Sequence, residues 1–141
     1  MLIDDWRIYA LASAVFASLT AIFGKIGVAS ISSNLATFIR TIVILVFTTG
    51  ILSWRNEWRH PSSIDNKSLL FLILSGLATG ASWLCYYKAL QLGPASKVAP
   101  VDKLSVALTI LLAIFILGEH ADIKTILGGA LIVIGSLILV L

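Results

Sequence analysis

Three residues of this sequence are hard to house. Arg40, Asp102 and Lys103 each sit inside a run of mostly apolar residues, and an ionisable side chain in hydrocarbon is costly unless it faces protein or water. At 1.5 Å of rise per residue, Arg40 lies roughly 8 to 10 Å into its apolar run, and Asp102 and Lys103 roughly 10 to 13 Å into theirs. The two runs start from the same face, which puts all three residues in one layer. Counting back from Gly93, Trp83, Tyr86 and Tyr87 fall roughly 9 to 15 Å from that face. Thr37 lines up with Asn34 and Thr41, and Ser105 with Asp102 and Thr109, as polar stripes on helical spacing.

Such a layer could bind a solute. Two cations against one carboxylate favour an anionic or zwitterionic organic molecule. Asp102 is the candidate for proton coupling, because desolvation raises and a neighbouring cation lowers a carboxyl pKa. The bland alternative makes Arg40 and Asp102 a structural ion pair, with Lys103 snorkelling or lining a subunit contact. Trp83, Tyr86 and Tyr87 could equally be packing residues or interfacial anchors. As sequence neighbours, Asp102 and Lys103 should point about 100° apart on a regular helix and each need a partner elsewhere. Pro100 removes a backbone donor and frees the carbonyl of Ser96, which predicts a kink about one turn before Asp102.

The elements that must position these residues follow from composition. Of 141 residues, 59% are hydrophobic and 12% charged, against about a quarter charged in a soluble domain. Lipid is the solvent that suits this balance. The +3 formal charge gives no reason to expect nucleic acid, since the basic residues cluster near segment ends, where they reach headgroups. Five apolar segments, approximately 6–28, 34–54, 68–91, 95–117 and 123–141, each approach the roughly 20 residues that span a bilayer. The fold class is therefore an all-α integral membrane protein, one domain over residues 1–141. The first segment lacks a positive flank and is expected to be a retained helix rather than a signal peptide.

The boundaries carry turn chemistry. The polar stretch Arg55 to Lys67 holds Trp58 and His60 and suits the headgroup layer. Gly93-Pro94 should end one helix and start the next, Gly118 should end the fourth segment, and Asp122 should cap the fifth. Small residues in Gly76 to Gly80, at Ala10, Ala14, Ala17 and Ala21, and at Gly128 and Gly135 are expected to mark close helix approach. The lone cysteine, Cys85, and the isolated His60 and His120 build neither a disulfide nor a metal site. Gly24-Lys25-Ile26-Gly27 lacks P-loop spacing, no catalytic constellation is apparent, and neither enzyme activity nor a cofactor is expected.

The run Tyr87-Lys88-Ala89-Leu90-Gln91-Leu92-Gly93-Pro94-Ala95-Ser96-Lys97-Val98-Ala99-Pro100, with Gly118-Glu119 and Gly128 to Gly135, resembles an EamA-type domain of the drug/metabolite transporter superfamily. The length, and the run Val101 to Val106, resemble its short five-helix bacterial and archaeal branch. Longer relatives carry two such halves in inverted orientation. The resemblance therefore implies that a single half works as an antiparallel homodimer, or with an oppositely inserted relative, in the plasma membrane. The small multidrug exporters of the superfamily use a glutamate in the first helix, which this sequence lacks. The expected function is secondary transport of small organic metabolites through a mid-membrane basic and aromatic site. Cation or drug efflux through Asp102, and a lipid-flipping or accessory subunit, are the alternatives.

Overall fold

The computed structural model describes residues 5–59 and 63–141; Met1 to Asp4 and His60 to Ser62 lie outside it, including the loop expected at His60. The described residues form helices and no strand. They are α1 (Trp6–Gly27), α2 (Ser33–Trp54), α3 (Asn66–Leu92), α4 (Ala95–Asp102), α5 (Leu104–Leu112), a π-helical turn (Ala113–Leu117) and α6 (Ile123–Val140). Five spans, with α4 to the π turn as one, are long and apolar enough to cross a membrane. At most 11% of the residues in any spanning window are buried within the chain. Side chains such as Phe115, Leu117 and Phe47 point outward, as expected where lipid or another subunit replaces a protein core.

The chain divides into two compact units, Phe23–Gln91, and Met1–Ile22 with Leu92–Leu141. In the first unit, Ser32 caps α2 by accepting the Leu35 N–H at 3.2 Å, which satisfies one of the free donors of a helix start. The turn between α1 and α2 is tied to the end of α3. The Gln91 amide donates to the carbonyls of Val28 (3.2 Å) and Ile31 (2.7 Å), and the Lys25 ammonium donates to the Leu90 carbonyl. Val28 and Leu90 are fully buried there. Beneath them the helices meet at Gly24, where a Cβ would stand 3.0 Å from a Tyr87 ring carbon. The contact requires glycine.

In the second unit, α6 packs against α4 and α5. Asp122 caps α6 by accepting the Thr125 N–H (2.9 Å) and hydroxyl (2.6 Å), as its position predicts. Gly118 ends the fourth span in the left-handed conformation, φ +68°, while the Glu119 N–H returns to the Ala113 carbonyl at 3.2 Å. This is the glycine-terminated closure that suits a residue without a Cβ.

One expectation is corrected. The interruption of the fourth span falls at Lys103, between α4 and α5, rather than a turn before Asp102. The Pro100 carbonyl accepts the Lys103 N–H at 3.0 Å, closing a tight i+3 turn, and also the Ser136 hydroxyl of α6 at 2.9 Å. The proline therefore breaks the ladder through its own carbonyl, C-terminal to itself. Of the small residues singled out in the sequence, Ala21 is buried within the chain, whereas a Cβ at Gly76, Gly80, Gly128 or Gly135 would meet nothing within 4 Å in the same chain. The close approaches within the chain are instead at Gly24 and at Gly129, where a Cβ would stand 2.9 Å from Ile110 Cδ1.

Candidate functional site

Arg40 lies in the second turn of α2, on the same stripe as Thr37 and Thr41. The stripe is knitted to its own backbone. Thr37 is buried and donates its hydroxyl to the Ser33 carbonyl, and Thr41 donates to the Thr37 carbonyl, both at 2.8 Å. Threonine in a lipid-embedded helix commonly meets its hydroxyl's need in this way. It leaves each oxygen with acceptor capacity toward the interior.

The Arg40 guanidinium carbon stands 3.2 Å from the centroid of the Trp83 ring, well inside the roughly 6 Å reach of a cation–π contact. Trp83 in turn meets Tyr86 and Tyr87 edge to face, with centroids 5.4 Å apart in both cases and interplanar angles of 78° and 85°. That is the arrangement the ring quadrupoles favour. Tyr86 and Tyr87 lie 6.5 Å apart. Tyr87 is buried, while Arg40, Trp83 and Tyr86 are half-buried. In this unit the described carboxylates are Glu57, paired with Arg55 at 2.9 Å, and Asp65, which accepts from Ser68. Arg40 is thus balanced within its unit by an aromatic face instead of an anion, and the edge donors of its guanidinium remain the natural partners of a carboxylate or phosphate. Four of the residues singled out in the sequence, Arg40, Trp83, Tyr86 and Tyr87, form this cluster, with Thr37 one turn away on the Arg40 stripe.

In the other unit, Asp102 closes α4, Lys103 forms the break, and Ser105 lies in the first turn of α5. Lys103 Nζ approaches Asp102 Oδ2 at 3.5 Å, a long contact between neighbours that a regular helix would point about 100° apart. The reason is the break itself. Lys103 is not held in a regular helix between its neighbours, and its four-carbon stem can fold back. Both side chains are substantially exposed, 54% and 38%, so the pair is loose and contributes little to stability. Ser105 is exposed.

Two positioning residues escape a reading by residue type. Ser136 is buried and holds the Pro100 carbonyl. Its signal is a lone hydroxyl in an apolar helix, which in lipid must find an acceptor. Gln91 anchors the turn between α1 and α2, and its signal is an amide at the last turn before Gly93-Pro94. An open groove lies beside that turn, lined by residues that include Ser33, Asn34, Cys85, Lys88 and Gln91. Among the described residues no group of histidine, cysteine or carboxylate side chains could hold a metal ion.

Comparison with known proteins places this geometry in context. Residues 6–141 match the EamA-like transporter family. A protein of a Sinorhizobium species, named an uncharacterized transporter in the cobO 3′ region, is 49% identical over 136 residues, 96% of each chain. An uncharacterized protein of Methanocaldococcus jannaschii is 30% identical over 136 residues, again 96% of each chain. No solved structure matches.

Proposed function

Because the chain belongs to the EamA-like transporter family and is a multi-pass membrane protein, we propose that it is a secondary transporter of small anionic or zwitterionic organic solutes in the plasma membrane. The observation that carries this reading is Arg40 seated on Trp83 at 3.2 Å, with two tyrosines around the ring. An aromatic face holds a guanidinium in place without neutralising it, so the charge stays available to an incoming anion. The tyrosines and tryptophan supply apolar surface and hydroxyl groups for the organic part of a solute. Asp102 already carries its own cation, Lys103, at 3.5 Å. That favours exchange of the loose pair's ammonium toward a solute anion over use of Asp102 as a cation-binding carboxylate.

The functional unit in this reading is a dimer. An odd number of spans puts the two ends of the chain on opposite faces, and an inverted second copy would present a second basic layer from the opposite side. Two such layers near the middle of the membrane suit a site that opens alternately to either face. The largely outward-facing apolar surface of the spans leaves ample area for a partner.

A thermal-stability screen of the purified protein against anionic, zwitterionic and cationic metabolites tests the reading. A single-site ligand at 100 times its Kd adds about 2.7 kcal/mol. Stabilisation by an anion that disappears in Arg40→Ala or Lys103→Ala is expected. Stabilisation by cations alone would refute the anion reading.

A further inference from the structure

The groove beside the α1–α2 turn is not part of the Arg40 cluster, but two helices run from one to the other. On α2, Ser33 and Asn34 line the groove; Ser33, Thr37 and Arg40 then follow at one-turn spacing, so Arg40 lies about 10 Å further along the helix axis. On α3, Lys88 and Cys85 line the groove, and Trp83 lies about 7 Å deeper than Lys88 by the same rise. The floor of the groove between them is apolar, with Leu84 contributing.

The charges around this mouth have one sign. Lys88 is exposed and makes no hydrogen bond or ion pair among the described residues of its unit. The α2 N-terminus adds the positive end of its dipole beside Ser33 and Asn34. The described carboxylates of the unit, Glu57 and Asp65, flank the opposite ends of α2 and α3, two dozen or so residues away along each helix, or about 35 Å. The walls hold a flexible cation, a small amide and a hydroxyl over an apolar floor. That is the chemistry of a place that receives an organic anion, head group on Lys88 and carbon skeleton on the floor.

We propose that this groove is the water-facing vestibule through which the organic anion reaches Arg40, and that Lys88 sets its charge preference. The proposal rests on the anion reading above and assigns to the site an access route and a specificity-determining residue. Electrostatic focusing of this kind raises the local concentration of one sign of solute at a mouth.

Cys85 is the single cysteine of the chain, exposed and three residues before Lys88 on the same helix, which places the two about 5 to 6 Å apart at Cβ. It reports on the groove without any added label site. In protein reconstituted into nanodiscs, where both faces meet water, the rates of Cys85 modification by the anionic sulfonatoethyl and the cationic trimethylammonioethyl methanethiosulfonates are measured, each relative to a free small thiol. The normalised anion-to-cation ratio should exceed one. One charge at this distance in water changes each rate by about threefold in opposite directions, so Lys88→Gln should lower the ratio by up to about tenfold, and Lys88→Glu should invert it. Arg40→Ala, about 10 Å further along the helix, should change the ratio by clearly less than Lys88→Gln does.

A Cys85 that reacts with neither reagent would show the groove closed to water and overturn the proposal. A ratio indifferent to Lys88→Gln, or one that falls further with Arg40→Ala than with Lys88→Gln, would overturn the role of Lys88. Because no transported solute enters this measurement, failure of the anion-transport reading shows separately, in the stability screen.

Discussion

The contact between Arg40 and Trp83 can be measured apart from everything around it. Replacing Arg40 by Gln removes the charge, and replacing Trp83 by Leu removes the aromatic face together with its two edge-to-face contacts to Tyr86 and Tyr87. Each edge contact is worth about 0.5 to 1.5 kcal/mol, so Trp83→Leu alone should be the costlier single change. The double-mutant cycle cancels those terms and leaves the cation–π energy. Cation–π pairs span about 0.5 to 1 kcal/mol when exposed and about 2 kcal/mol when desolvated. With a separation of 3.2 Å and both partners half-buried, the coupling should be about 1 to 2 kcal/mol by the same scale. Reversible unfolding in mixed micelles, titrated with a denaturing detergent, reads the free energies of the four proteins. Additivity within about 0.3 to 0.5 kcal/mol, the level found for independent sites, would refute the idea that the aromatic cluster holds Arg40.

Other consequences follow from single positions. Gly24→Ala places a Cβ 3.0 Å from the buried Tyr87 ring and should destabilise by about 1 to 3 kcal/mol, whereas Gly50→Ala, with nothing within 4 Å, should gain up to about 1 kcal/mol; the same unfolding titration compares them. Asp122 accepts from the Thr125 hydroxyl and N–H, which hold its carboxyl below the ordinary range. Its contribution to stability is therefore complete above the unfolded carboxyl pKa of about 4 and lost as pH falls through the lower folded value. Asp122→Asn, which keeps a capping side chain, should flatten the acid limb of the stability profile. Asp102→Asn should leave folding intact, because its pair with Lys103 is exposed and exposed pairs contribute about 0 to 1 kcal/mol; a larger loss in the same unfolding titration would contradict that.

Much of the architecture is legible in the residues because lipid imposes a simple rule. Backbone groups in hydrocarbon must be bonded within the segment, so apolar runs near 20 residues become helices. The observed spans begin and end within about two residues of the expected segments at all boundaries described. Turn chemistry was equally direct at Gly118 and Asp122, where a left-handed closure and a side-chain cap leave little choice of residue. The break at Lys103 was harder to see. The Pro100 carbonyl that closes its turn also accepts from Ser136, 36 positions beyond Pro100, and no local pattern reports that contact.

The glycines make the same point from the other direction. Spacing points to Gly76, Gly80, Gly128 and Gly135 as well as to Ala21, and of these only Ala21 is buried within the chain, while a Cβ at Gly24 or Gly129 would press on a neighbour. What decides is which face meets a neighbour, and helical spacing does not contain that information. For the candidate site, residue type and depth point to one layer of Arg40, Trp83, Tyr86, Tyr87, Asp102 and Lys103, of which the first four meet on α2 and α3. Their edge-to-face geometry, and the approach of Lys103 to Asp102, depend on side-chain rotamers and on the break at Lys103, which residue type and spacing do not encode.

Counterflow in proteoliposomes tests the central claim most directly. Vesicles preloaded with the anion that best stabilises the protein are diluted into a trace of the same labelled anion, and its transient accumulation is followed for the native chain and for Arg40→Ala. Accumulation by the native protein that is abolished by Arg40→Ala, while the variant keeps its fold, is the predicted result. Equal accumulation by both, or accumulation of organic cations alone, would contradict it.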